Sequence, residues 1–202
     1  MAVNTYSDLK VALKNRLDES PADSVIDDWI DLAEDRIARD LRVEDMEVAF
    51  SVTISGGVAA VPADFLGLKT AYVDGSPVVM LHPKSLDWVV SNFPTRSGDA
   101  KPHHIARNGA NWEFGPSPAA DYTVKGTYYR RLPALSASNE SGWLVTDAPA
   151  LIFYAALVEA ADYYADPRMD AWDARYEKEL RRVQRSDKRS RYGDAPLYGV
   201  AQ

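Results

Sequence analysis

"MEVAFSVTISGGVAAVPADF", residues 46–65, is where the periodicity of the chain changes. Val48, Phe50, Val52 and Ile54 alternate with polar or small residues, the period of a half-buried strand. Gly56-Gly57 follows, a two-residue hairpin signal. Everything before this stretch runs at a period near 3.6 residues, and the next hundred residues run near 2. The fold class turns on that switch.

Upstream, "TYSDLKVALKNRLDE" (5–19) spaces Tyr6, Leu9, Leu13 and Leu17 by threes and fours, which predicts an amphipathic helix with Thr5 or Ser7 as cap. "SPADSVIDDWIDLAEDRIARDLR" (20–42) predicts a second, with Ser20 as N-cap and Pro21 at its first position. Its apolar stripe is Ile26, Trp29, Ile30, Ala33, Ile37 and Leu41, opposite a face of Asp and Glu.

Downstream, "LKTAYVDG" (68–75) reads as a strand turning at Asp74-Gly75. "PKSLDWVVSNF" (83–93) reads as a short helix from Pro83, and residues 94–102 as a loop. Residues 103–116 read as a hairpin around Asn108-Gly109, and 121–132 as a long strand with Tyr122, Val124, Gly126 and Tyr128 on one face. Helical pattern returns at Asp147-Ala148-Pro149, with Asp147 as the expected cap. The helix that follows is apolar nearly all round, as a buried central helix would be, and stops at Pro167. From Arg168, Met169, Trp172, Tyr176, Leu180 and Val183 form one stripe amid bases, with Gly193 as terminator. The expected class is α+β. A helical bundle forms from N- and C-terminal hairpins (1–45 and 147–192), with an inserted, mainly antiparallel β unit carrying one short helix (46–146) and a C-terminal tail (193–202).

Composition narrows the function. The sequence has no cysteine, which removes disulfides, thiolate catalysis and thiolate metal sites. No basic stretch leading into an apolar core opens it, and its longest apolar run, Ala148 to Val158, is too short to span a bilayer. The expectation is a soluble protein without membrane contact. Net charge is −7, but residues 1–47 hold 13 acids and 6 bases, whereas 175–191 hold 8 bases and 3 acids. Such faces are ordinarily solvated helix surfaces; the sharper reading is that acidic and basic ends meet across a subunit boundary.

No catalytic constellation is visible. His103-His104 are strand neighbours pointing to opposite faces, so they do not chelate a metal together, and His82 has no acid at a useful spacing. Asp27, Asp28 and Asp31 sit on the polar face of a helix. Ser55-Gly56-Gly57 lacks the Lys and following helix of a phosphate loop, and no nucleophile elbow or H-E-x-x-H occurs. The expectation is a non-enzyme with no cofactor and no metal. Residues 175–191 are basic enough to consider phosphate binding, but the bases fall on several helix faces in an acidic protein.

Four blocks, in order, resemble the head-to-tail adaptor proteins of tailed phages, especially the tail-tubular type: "LAEDRIARDLRVEDME" (32–47), "VAAVPADFLGLKTAYVDGSPV" (58–78), "YYRRLPALSASNESGWLVTDAPALIFYAALVEAADYY" (128–164) and "WDARYEKELRRVQRSDKRSRYG" (172–193). The resemblance covers residues 5 to about 195. It implies a structural virion protein at the head–tail junction, assembled in the host cytoplasm. Such a protein forms a ring, typically dodecameric, docked on the portal, with a tail nozzle or tube below and DNA passing through without specific binding. By position, Arg182, Arg185, Lys188, Arg189, Arg191 and Tyr192 are then the portal contacts. Asp27, Asp28, Asp31, Arg130 and Arg131 are candidates between subunits, and loops at Arg96, Asp99 and Asn108 face the tail. The alternatives are a head-completion protein of a long-tailed phage and a nucleic-acid-binding module using 175–191. A hydrolase site in the β unit is the least supported.

Overall fold

A computed structural model describes residues 3–95, 100–118 and 120–192, the side chain of Tyr192 excepted. The chain is α+β. It divides into a discontinuous helical unit, Met1–Asp45 with Leu132–Gln202, and a continuous β unit, Met46–Arg131.

The helical unit is built on α5 (Pro149–Tyr164), against which α1 (Tyr6–Leu17), α2 (Asp23–Asp40), α4 (Trp143–Thr146) and α6 (Met169–Tyr192) all pack. Leu151, Ile152, Ala155, Ala156, Leu157 and Ala161 of α5 are fully buried, as an all-round apolar helix requires. The stripes read from sequence supply the rest of the core: Leu9 and Leu13 from α1, Ile26, Ile30 and Ala33 from α2, and Trp172 and Tyr176 from α6. Thr5 caps α1 by accepting a hydrogen bond from the Asp8 N–H at 3.0 Å.

Two expected caps are displaced. The second helix starts at Asp23, after Ala22, and Ser20 and Pro21 lie in the connection. Negative charge from Asp23 in the first turn, held by Lys14 at 2.7 Å, does the work assigned to a hydroxyl. Asp147 closes α4 instead of opening α5: its N–H bonds Trp143 O at 2.8 Å and its carboxylate accepts from Thr146 Oγ1 at 2.5 Å. Ala148 takes the cap position, and Pro149 begins α5 with its φ already set for a helix.

The β unit ends at Arg131. Residues after it carry apolar anchors without a period. Leu135, Leu144 and Val145 are buried, and Leu135 N–H donates to Glu34 at 2.8 Å. Glu140 accepts from Ser7 N–H and Ser7 Oγ, at 3.0 and 2.8 Å. This loop therefore belongs with the helices.

In the β unit, β1 (Glu47–Ile54), β3 (Phe65–Val73), β4 (Val79–Met80) and β8 (Tyr122–Arg130) form one sheet in the order β1-β8-β3-β4. The second sheet has the order β2-β7-β6-β5, from β2 (Val58–Ala60), β5 (His82–Pro83), β6 (His104–Asn108) and β7 (Asn111–Gly115). All pairings are antiparallel except β5 with β6. Gly56 and Gly57, at φ 58° and 80°, make the expected turn between β1 and β2, because both positions need the left-handed region. Trp112 is the centre of the core, 5.0 Å from the Phe50 ring and 5.5 Å from Phe65. The short helix α3 (Leu86–Asn92) begins later than Pro83, which pairs with Ile105 in β5; Ser85 caps the helix by accepting from Trp88 N–H at 3.3 Å.

Candidate assembly surfaces

The basic residues of α6 separate into two groups once the helix is docked. Trp172, Tyr176 and Leu180 face the core, so Arg182, Arg185, Lys188 and Arg189 point outward. Arg182 has a 79% exposed side chain, 3.6 Å from Glu179. Arg181, Arg182, Arg185 and Arg189 line one shallow depression, a concentrated patch of positive charge. Arg191 is different. It ion-pairs with Asp187 at 2.9 Å, and both side chains are nearly buried. Asp187 also accepts from the Glu44 N–H at 2.7 Å, so this pair ties the end of α6 to the chain leaving α2. Of the residues assigned to portal contact, Arg191 is held in a nearly buried ion pair, and the side chain of Tyr192 lies outside what is described.

The foot of α6 is held by a polar network around a buried tyrosine. Tyr176 is completely buried and donates its hydroxyl to Asp40 at 2.7 Å. The Arg36 guanidinium lies 4.2 Å from its ring centroid and ion-pairs with Asp173. Burial, followed by the bond to Asp40, pushes the Tyr176 phenol far above its ordinary pKa. Burial is the largest single influence and works against the charge of Arg36, but the bond to Asp173 and the surrounding negative charge together outweigh it, and its pKa rises.

On α2 the three acidic candidates also divide. Asp27 accepts from the Tyr6 hydroxyl at 2.5 Å and from Lys10 Nζ at 2.7 Å, joining α1 to α2. Asp28 and Asp31 are exposed and face no cation among the described residues. Partial burial, followed by the charges of Asp27, Asp28 and Asp35, pushes the Asp31 carboxyl above its usual range. Between these acids stands Leu32, 51% exposed.

In the β unit, Arg130 ends β8 with a buried Nε that has no hydrogen-bond acceptor. Arg131 is exposed, and its N–H donates to Asp64 O at 2.7 Å. Asn108 stands at the β6–β7 hairpin, its side-chain amide donating to Glu113 at 2.6 Å. Arg96 and Asp99 lie outside the described residues.

Sequence reading passed over a groove in the helical unit, about 830 Å³, bounded by α1, α5 and α6. Ala12, Pro149, Ala150, Phe153 and Tyr154 supply its apolar lining, and Asn4, Asn15, Arg16 and Arg175 its polar lining. Arg175 stacks on Tyr154, 5.6 Å from the ring centroid, and donates to its hydroxyl at 3.3 Å. Neither arginine meets a carboxylate among the described residues. Half-exposed aromatic residues beside the Pro149 helix start were the available signal.

Among the described residues no cluster of three or more His, Asp or Glu is arranged to hold a metal, and no helix is long and apolar enough to cross a membrane. His104 packs against Trp88 at 4.6 Å, Phe93 at 5.7 Å and His82 at 6.2 Å, with a buried Nδ1 that has no partner. Burial pushes its pKa down, its hydrogen bond to the Gly115 backbone carbonyl opposes the fall, and the charges of Lys84, His82 and His103 add to it. An unfolded chain then binds a proton more readily than the folded one. The contribution to stability is complete above the ordinary value of about 6.5 and is lost as pH falls through the lowered folded value. The β unit is expected to melt at a lower temperature at pH 5 than at pH 7, with part of that drop absent in His104→Phe. Equal pH dependence in the two proteins would show that His104 is not its source.

Comparison with known proteins gives one family. The sequence model described as SU10 adaptor protein matches residues 4–198. No curated protein matches the chain.

Proposed function

The chain belongs to the SU10 adaptor protein family, and on that premise we propose that it forms the ring-shaped head-to-tail adaptor of a tailed-phage virion. An adaptor is a structural, non-catalytic component. In this reading the ring is dodecameric, docks on the portal, continues the DNA channel and offers its other side to a tail nozzle or tube. Assembly takes place in the host cytoplasm.

The observation that carries portal docking is the division along α6. One face is locked into the helical core at Trp172 and Tyr176, and the distal half presents Arg182, Arg185, Lys188 and Arg189 outward. Charge presented from a rigid element orients a partner with little loss of side-chain freedom. Arg191 supports this surface from within through Asp187. Arg130 and Arg131, and the hairpin at Asn108, are the candidates from the β unit for subunit and tail contacts.

Changing Arg182, Arg185 and Arg189 together to Glu tests the docking. These exposed side chains leave the core intact, so circular dichroism is expected to be unchanged. Binding to purified portal is expected to weaken by at least about tenfold. Wild-type portal binding by the triple variant would refute the docking surface. The basic patch also admits a nucleic-acid reading, which predicts duplex binding that collapses as salt rises. Portal binding that weakens in the triple variant, with no duplex affinity at any salt concentration, decides for the adaptor.

A further inference from the structure

We propose that neighbouring copies join head to tail through the helical unit, the outward face of α2 in one copy seating in the α1/α5/α6 groove of the next. This rests on the ring reading above and supplies the contact that such a ring needs. A ring requires two different, complementary patches on each copy, placed so that one does not block the other.

The patches match in three respects. The first is chemistry: Leu32 stands exposed among Asp28, Asp31 and Asp35, and the groove offers an apolar lining together with Arg16 and Arg175. An apolar knob in an acidic frame thus meets an apolar lining that carries bases. The second is unsatisfied charge. Asp28 and Asp31 have no cation, and Arg16 and Arg175 no carboxylate, among the described residues. The raised pKa of Asp31, set first by partial burial and then by the charges of Asp27, Asp28 and Asp35, agrees with an acidic surface that lacks a cation.

The third is placement. At 100° per residue, Ala150, Phe153 and Tyr154 of α5 point into the groove, whereas Ile152, Ala155 and Glu159 lie on the opposite side of the same helix. Glu159 is on the α2 side, where its charge bears on Arg36. On α2, Ile26, Ile30, Ala33 and Ile37 face inward, which turns Asp28, Asp31 and Leu32 away from α5. Knob and groove therefore open in opposing directions across the unit, as repeated addition of copies demands. Asp27, the other acidic residue considered for this contact, is occupied within its own chain by Tyr6 and Lys10.

The cysteine-free sequence makes the test direct. Full-length Leu32→Cys and Ala12→Cys variants are purified separately, mixed at high concentration and oxidised gently. The expected product is a disulfide-linked pair formed in the mixture and at least about tenfold less in either variant alone. A chain carrying both substitutions yields a ladder. Reversing Arg16 and Arg175 to Glu, or Asp28 and Asp31 to Arg, abolishes the ladder, and combining all four reversals restores it. Rings seen by negative-stain microscopy, alone or on a portal, with no Leu32→Cys to Ala12→Cys bond would overturn this interface and leave the ring reading standing. Monomers without the bond at every concentration would also overturn it. Ring assembly on a portal is then judged by microscopy on its own.

Discussion

Gly126→Ala is expected to unfold the β unit or leave it barely stable at 25 °C. Gly126 lies in the middle of β8, the strand paired on both sides, opposite Phe50 of β1 and Ala71 of β3. A Cβ there would stand 2.1 Å from Thr70 O, 2.9 Å from the Ala71 Cα and 2.8 Å from the Phe50 ring. Only the ring can turn away, since the other two atoms are backbone. They sit just past the irregularity between Leu68 and Thr70, where β3 bends close over β8. Overpacking a core usually costs about 1–3 kcal/mol, and more when the obstacle is main chain, so about 3 kcal/mol or more is expected here. Against a typical total of about 5–15 kcal/mol, that is a large fraction. Hydrogen exchange read by mass spectrometry checks it: protection is lost across 47–54, 65–73 and 122–130 and kept in α5. Unchanged protection in β8 would mean that the sheets accommodate the methyl and that the close approach is not fixed.

Tyr176→Ala is expected to be the most damaging single change in the helical unit, at about 3–5 kcal/mol. The ring is fully buried, carries the Arg36 guanidinium on its face and places α6 against α2. Tyr176→Phe separates ring from hydroxyl. Asp40 is exposed, so water replaces the lost donor, and the expected cost is only about 1 kcal/mol. Urea denaturation of the three proteins measures both values. If Tyr176→Phe proved as costly as Tyr176→Ala, the hydrogen bond and not the packed ring would be what positions α6.

Elements with a single periodic stripe were legible in the sequence, because their burial follows from local spacing. Tyr6, Leu9, Leu13 and Leu17 define α1 without any knowledge of its neighbours, and Gly56-Gly57 marks its hairpin because few residues tolerate those φ values. Segment 132–146 was not legible. Leu135 and Val145 are buried by what the helices leave uncovered, which no spacing encodes, and contacts group residues from Leu132 onward with the helices. Ser20 and Asp147 are good cap residues by type: the first is displaced where Lys14 holds Asp23 in the opening turn, the second where Asp147 closes the short helix α4 through its own neighbours Trp143 and Thr146. The surfaces follow the same rule. The basic run on α6 is visible as composition, and the i,i+4 spacing of Asp187 and Arg191 is visible with it, but the burial of that pair against Glu44 follows only from the fold. The groove joins Arg16 to Arg175 across most of the chain, and only the fold makes them neighbours.

The interruption of the helical unit bears on chain entropy. Tying α1 and α2 to α5 and α6 across the flexible length of residues 46–131 would cost on the order of 4 kcal/mol in loop closure. The β unit takes over that cost in its own folding through its register: Glu47 sits directly opposite Tyr129 on adjacent strands. Once β1 has paired with β8, the inserted unit leaves and re-enters the helices one strand spacing apart, about 5 Å. To the helices it is then equivalent to a tight turn, and their two separated halves associate as though they were consecutive.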